Sequence, residues 1–246
     1  MMTTCLISLG GNLGDVAATI DRALRRLHQP PEVSVGLRSS LFHTKPVGAV
    51  AGADFVNAAA VLETSLTAHE LLDRLLATET ELDRVRTIHW GPRTLDLDLL
   101  FFGEAIIDDR PKLRVPHPAC WYRRFVLDPL VEIAPQIIHP EKGVSIAELH
   151  RRLLARPLRV SLVGDSEELD RLVATVKPEF PDASLRWCRQ PNEVPASDDG
   201  LLIQLLANES LDVTQSLSKR IGWLDASHHP GERRQCLVDI LRSAGL

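Results

Sequence analysis

The chain has 246 residues, of which 44% are hydrophobic and 25% charged, and it carries a net charge of −5. That length suits one large domain or two small ones, and the composition is that of an ordinary globular protein. The acidic balance gives no general pull towards nucleic acid or anionic lipid, and no run reaches the ~20 apolar residues that span a bilayer.

The first residues have no basic segment and too short an apolar run for a secretory signal, so they read as a strand over 4–9. Gly10-Gly11-Asn12 ends that strand as a turn. Residues 14–28 follow as an amphipathic helix with Ile20, Leu24 and Leu27 on one stripe and Asp15 at its start. Residues 33–43 alternate as a strand, and Thr44-Lys45-Pro46-Val47-Gly48 breaks it. A third strand covers 54–64, with Phe55, Asn57 and Glu63 on one face. Thr67 and Glu70 form a capping box that opens a helix to about Asp83. After a loop over 84–93 come an acidic strand at 94–102 and a short paired strand at 105–107. Pro111, Pro116 and Pro118 mark an irregular stretch before a helix at Arg123–Ile133.

This β-α-β-β-α-β order predicts an α+β enzyme domain over 1–156, a ferredoxin-like split βαβ sheet with its helices on one face. Near Arg151–Pro157 the pattern changes. Strands at 158–163, 184–188 and 201–206, with helices at 166–176, 211–220 and 231–244, predict a small α/β domain over 157–246. Its motifs are weak. His228-His229 reads as a surface turn sooner than a metal site, and Gly164-Asp165-Ser166 as a helix cap sooner than an anion site. Cys5, Cys120, Cys188 and Cys236 are scattered with no C-x-x-C pair, which predicts reduced thiols in a cytoplasmic protein.

The chemistry concentrates in Trp90-Gly91-Pro92-Arg93-Thr94-Leu95-Asp96-Leu97-Asp98. On a strand Asp96 and Asp98 share a face, with backbones only ~7 Å apart. Two such carboxylates repel unless a cation lies beside them, and oxygen ligands suit magnesium completed by substrate phosphates. The alternative is a strand with a polar outer face. Between Arg84 and Arg124 eight basic residues stand against five acidic ones, a local excess that suits phosphate. Gly10-Gly11-Asn12-Leu13-Gly14 lacks the lysine of a P-loop, so a triphosphate would have to be held by arginines and metal.

Four blocks resemble the 6-hydroxymethyl-7,8-dihydropterin pyrophosphokinase family. They are Leu9–Asp15, Thr44-x-Pro46-x-Gly48 with Asp54–Ala58, Arg84-x-Arg86 with Trp90–Asp98, and Val115–Pro118 with Arg123-x-Phe125-Val126-Leu127. The resemblance covers roughly residues 4–155. It implies transfer of pyrophosphate from ATP to the hydroxymethyl group of the pterin, with AMP leaving, in folate biosynthesis. It further implies two Mg²⁺ ions on Asp96 and Asp98, with Arg86 and Arg93 clamping phosphates as the other catalytic residues. ATP would be bound by Glu79, Arg84, Arg86, Arg93, Lys112, His117 and Arg123. The pterin would be bound by Thr44, Pro46, Val47, Phe55, Asn57, Trp90 and Phe125, the two phenylalanines stacking on its ring. Taken without the resemblance, Phe55 and Phe125 read as core and His117 as a structural histidine. Gly11 stands where a serine is common, Lys112 where an arginine is found, Arg114 where a threonine is, and Pro118 where a tyrosine is. The loop at 84–89 is one residue short. Loops 44–54 and 84–93 would close over the substrates.

The expected partners are the two small-molecule substrates, with no nucleic acid and no membrane. Residues 157–246 would dock on the enzyme domain, mediate self-association or bind a partner. A retired catalyst that serves as a nucleotide-binding or protein-interaction module is a second function class, opposed by the presence of Arg86, Arg93, Asp96 and Asp98 together. A nucleic-acid-binding sheet is a third, and its aromatic motif is missing.

Overall fold

The structure is a computed structural model and describes residues 1–47, 53–82, 92–163, 167–188, 193, 200–204, 223–225 and 233–246. Helices and strands are mixed in an α+β arrangement. Strand β1 (Thr3–Gly11) is central to the first sheet. It pairs antiparallel with β4 (Phe55–Thr64) on one side, from Thr3↔Thr64 to Gly11↔Val56, and with β5 (Asp96–Phe102) on the other. Strands β2 (Val33–Arg38) and β3 (Phe42–Thr44) both pair with the far side of β4, so the order is β2-β4-β1-β5.

The expected strand at 33–43 is thus two strands. Ser39 interrupts it: the buried hydroxyl accepts from the Ala59 N–H at 2.9 Å, in place of a continuous ladder. The acidic strand begins at Asp96, two residues later than expected. The short strand at 105–107 lies instead at β6 (Ile107–Asp109) and pairs with β7 (Leu113–Val115).

Both faces of the sheet are apolar and both are covered. Cys5, Ile7, Leu9, Ala58, Ala60, Leu62, Leu97 and Leu99 pack with α1 (Val16–Leu27) and α2 (Ala68–Glu81). Asp15 caps α1, accepting from the Ala18 N–H at 3.0 Å, and the Thr67–Glu70 capping box opens α2 as its spacing predicts. Leu6, Ala59, Val61 and Phe101 pack with α3 (Arg124–Ile133) and α4 (Ile146–Leu154). The two helices of the expected β-α-β-β-α-β order do share one face, but the expectation of helices on that face alone is corrected, since α3 and α4 cover the other. The run Ala58-Ala59-Ala60 has no alternation to betray a second buried face, and α4 carried no recognised start signal although Ser145 caps it.

Beyond residue 156 a second sheet is parallel: β8 (Leu158–Val163), β9 (Ala183–Cys188), β10 (Leu201–Gln204) and β11 (Trp223–Asp225), in the order β11-β10-β8-β9. Helices α5 (Glu167–Val176) and α6 (Arg233–Ser243) accompany it. The expected helix at 211–220, residues 205–206 of the expected strand, Gly164–Ser166 and His228-His229 lie outside the described residues. The sheet changes at 156 but the core does not. One hydrophobic cluster runs from Leu6 and Phe101 through Leu127 and Leu149 to Leu162, Leu169 and Leu241. Among the described residues no helix is long and apolar enough to cross a membrane.

Candidate active site

The register of the first sheet builds one row of side chains across three strands. Asn57 lies opposite Gly10, and Gly10 lies opposite Asp96; in the next row Ala59, Ser8 and Asp98 are opposite one another. Opposed residues share a face, so Asn57, Asp96 and Asp98 all lie on the α3 side, away from Leu97 and Leu99. Placing α3 there brings Arg123 and Phe125, at its start, to the same side as the carboxylates.

Glycine at position 10 makes room for the row. A Cβ there would meet the Asn57 Oδ1 at 2.7 Å. The Asn57 Nδ2 donates to the Thr44 Oγ1 at 2.8 Å, which fixes the amide and leaves Oδ1 over the sheet. Gly11 is equally constrained, since a Cβ would sit 2.5 Å from the Thr94 carbonyl oxygen.

Sequence reasoning took Asn12 as a turn residue within the Leu9–Asp15 block and gave it no role of its own, and the structure gives it more. Its side chain is buried and reaches two other segments: Oδ1 accepts from the Arg93 N–H at 2.9 Å and Nδ2 donates to the Ala53 carbonyl at 3.1 Å. The Asn12 N–H returns a bond to the Arg93 carbonyl at 2.9 Å. Asparagine has both the acceptor and the donors that such a junction needs, and that was the available signal. It fixes Arg93, whose Nη1 lies 2.5 Å from the Asp96 Oδ2, with both side chains about a quarter exposed.

His117 is held beside β5 by its own N–H on the Leu100 carbonyl at 2.9 Å. Its Nδ1 accepts from the Ala119 N–H at 3.3 Å, which assigns the ring proton to Nε2. Burial lowers its pKa, and Asp98 and Asp96 oppose that shift in part while Arg123 and Arg114 add to it. The ring is therefore neutral at pH 7, one donor among two carboxylates and two arginines. The Arg123 guanidinium lies over the Phe125 ring at 5.6 Å and the Tyr122 ring at 5.9 Å.

Other expected site residues fall differently. Glu79 is buried on α2, and its Oε1 accepts from the Leu97 N–H at 2.7 Å. Lys112 is exposed on the β6–β7 turn, with Nζ 3.9 Å from the Asp73 carboxylate. Pro46 and Val47 follow β3 and are half-buried, as is Phe55 at the start of β4. Arg84, Arg86 and Trp90 lie outside the described residues, as do residues 48–52 and 84–91 of the two loops expected to close.

Among the described residues no three metal-binding side chains gather. Two half-buried carboxylates of one strand are nevertheless the donor number and type that suit magnesium shared with a phosphate chain.

An antiparallel sheet presenting carboxylates, arginines and an oriented amide on one helix-covered face belongs to the α+β class. Residues 6–135 match the model of the 7,8-dihydro-6-hydroxymethylpterin-pyrophosphokinase (HPPK) family, and the chain belongs to that family. It is 42% identical over 149 residues to the 2-amino-4-hydroxy-6-hydroxymethyldihydropteridine pyrophosphokinase of Pseudomonas aeruginosa, covering 61% of this chain and 91% of that one. It is 43% identical over 148 residues to the protein of the same name from Bacillus subtilis, covering 60% and 86%. Among solved structures it is similar in fold to wild-type HPPK-DHPS of Plasmodium falciparum, with a TM-score of 0.50 and 12% identity over 96% of this chain and 68% of that one. Another HPPK-DHPS chain is spanned to 60% of its length.

Proposed function

We infer that this chain transfers the pyrophosphoryl group of ATP to the hydroxymethyl group of 6-hydroxymethyl-7,8-dihydropterin, giving the pterin diphosphate and AMP in folate biosynthesis. One observation carries the reading: the family match over residues 6–135 encloses the row of Asn57, Gly10 and Asp96 and the Arg93 that pairs with it. The strand order β2-β4-β1-β5 with α1 and α2 on one face supports a ferredoxin-like description of this part. The change of sheet near 156 supports a second sheet-bearing region over 157–246, which shares one core with α3 and α4.

In this reading Asp96 and Asp98 hold Mg²⁺, two ions in all, which when bound neutralises charge on the triphosphate. Arg93 keeps one N–H on Asp96 and turns its remaining donors to phosphate oxygens, with Asn12 holding its backbone in place. Arg86 and Arg84 add charge to the same clamp. The Nε2–H of His117 donates towards the phosphates, and Arg123 supports the nucleotide. Lys112 contributes at long range. Glu79 acts on the nucleotide site by positioning β5, its Oε1 accepting from the Leu97 N–H.

The pterin lies between Phe55 and Phe125, beside Thr44, Pro46 and Val47 and under Trp90. Asn57 Oδ1 accepts from its amide edge. Its hydroxyl then attacks the β-phosphorus in line and AMP departs. Positioning and charge supply the acceleration, since among the described residues no side chain is set as a general base. All four cysteines are buried free thiols, which supports a cytoplasmic protein. Self-association through 157–246 has weaker support, because its apolar side is already taken up by α3 and α4.

Phosphorus NMR of the products tests the reading. It predicts AMP and pterin diphosphate in equal amounts. ADP with a pterin monophosphate, or ATP consumption that ignores the pterin, contradicts it.

A further inference from the structure

Residues 157–246 lie beyond the family match, yet they reach the proposed site through α3. Arg124, the first residue of α3, sits between Arg123 and Phe125. Its Nε and Nη2 donate to both carboxylate oxygens of Asp128, one turn on, at 2.7 and 2.8 Å. His150 of α4 bonds the same carboxylate at 2.8 Å. All three side chains are largely buried.

On the other side of Arg124 stands Gly245. Helix α6 ends in a Schellman turn: the Gly245 N–H bonds the Arg242 carbonyl at 3.0 Å and the Leu246 N–H bonds the Leu241 carbonyl at 3.2 Å. Gly245 has φ +87°, and a Cβ there would lie 2.8 Å from the Arg124 Cγ and 3.1 Å from its Nη1. The Gly245 carbonyl accepts from the Arg156 Nη2 at 3.1 Å, while the Arg156 Nη1 donates to the Leu153 carbonyl at 2.7 Å. The turn after α6, the end of α4 and the first turn of α3 are thus locked at one point.

We propose that residues 157–246 position the active site, with the turn at Gly245 and the Asp128–His150 pair setting the first turn of α3 and so the placement of Arg123 and Phe125. Arg124 is anchored at its far end by Asp128, so pressure on its side chain passes to the first turn of α3, which carries Phe125 one step on and Arg123 as its N-cap. Misplacement of a binding group by about 1 Å costs up to ~100-fold in rate. The proposal rests on the site assignment of Arg123 and Phe125 made above.

The test uses full-length protein and reads kcat, KM for ATP, KM for the pterin and Tm. Gly245→Val pushes on Arg124, and Asp128→Asn weakens its anchor with little change of shape. Val238→Ala removes buried methyl groups two turns earlier on α6 and serves as a destabilised comparison. Gly245→Val and Asp128→Asn are expected to raise KM for both substrates about tenfold or more. Val238→Ala lowers Tm with KM unchanged below its transition. Wild-type KM in both Gly245→Val and Asp128→Asn overturns the proposal; so does an equal KM rise in Val238→Ala. If Gly245→Val does not fold, Asp128→Asn alone decides. Arg123→Ala separates the two readings: wild-type KM there overturns the site assignment, whereas a raised KM there with wild-type values in the other two overturns the positioning alone.

Discussion

Gly11 and Asn12 show how a residue can matter without touching substrate. Asn12 joins the segments carrying Arg93 and Ala53, and Gly11 lets the strand lie against the Thr94 carbonyl. Gly11→Ala is expected to cost about 1–3 kcal/mol by overpacking against backbone. It should also lower kcat by displacing Arg93; Tm and initial rates check both. Asp96 and Asp98 were legible in the sequence because alternation alone puts them on one face. Asn12 was not, because a turn asparagine and a buried junction look the same in one dimension.

His139 illustrates a buried group outside the site. It is fully buried, packs edge-on to Phe101, and burial lowers its pKa to about 4. Above about pH 6.5 folded and unfolded chains both hold it neutral. As pH falls from there to about 4, only the unfolded chain takes up the proton, so stability drops by on the order of 3 kcal/mol. His139→Phe should flatten that part of the dependence of Tm on pH; an unchanged slope would assign it to other groups.

At the scale of elements, β5 stands at the edge of its sheet, where an outward N–H would lack a strand partner. Glu79 of α2 fills that role at Leu97, between the two proposed metal ligands. Glu79→Ala should therefore cost about 2–3 kcal/mol and lower kcat through disorder in Asp96 and Asp98. Thermal melts with steady-state kinetics would show it, and a raised KM for ATP at constant kcat would return Glu79 to direct nucleotide binding. The capping box of α2 and the stripe of α1 were readable because local bonds and period decide them. The side of the sheet taken by α3 was not. It follows from the apolarity of Leu6, Ala59 and Phe101, which only the three-dimensional register collects onto one face.

For the whole molecule, the change of pattern near residue 156 was visible in sequence, but the shared core was not, since it joins residues more than a hundred positions apart. Cluster continuity predicts one cooperative calorimetric transition for 1–156 and 157–246 together. Two separated transitions would mean two independent units. The central claim is that Asp96 and Asp98 gather divalent cations that present ATP to the stacked pterin. It is tested most directly by titrating Mg²⁺ into the wild type, Asp96→Ala and Asp98→Ala while measuring pterin-dependent AMP release. The account predicts saturable Mg²⁺ dependence in the wild type and a loss of about a hundredfold or more in folded variants. Near-normal AMP release from either variant at the same Mg²⁺ would contradict it.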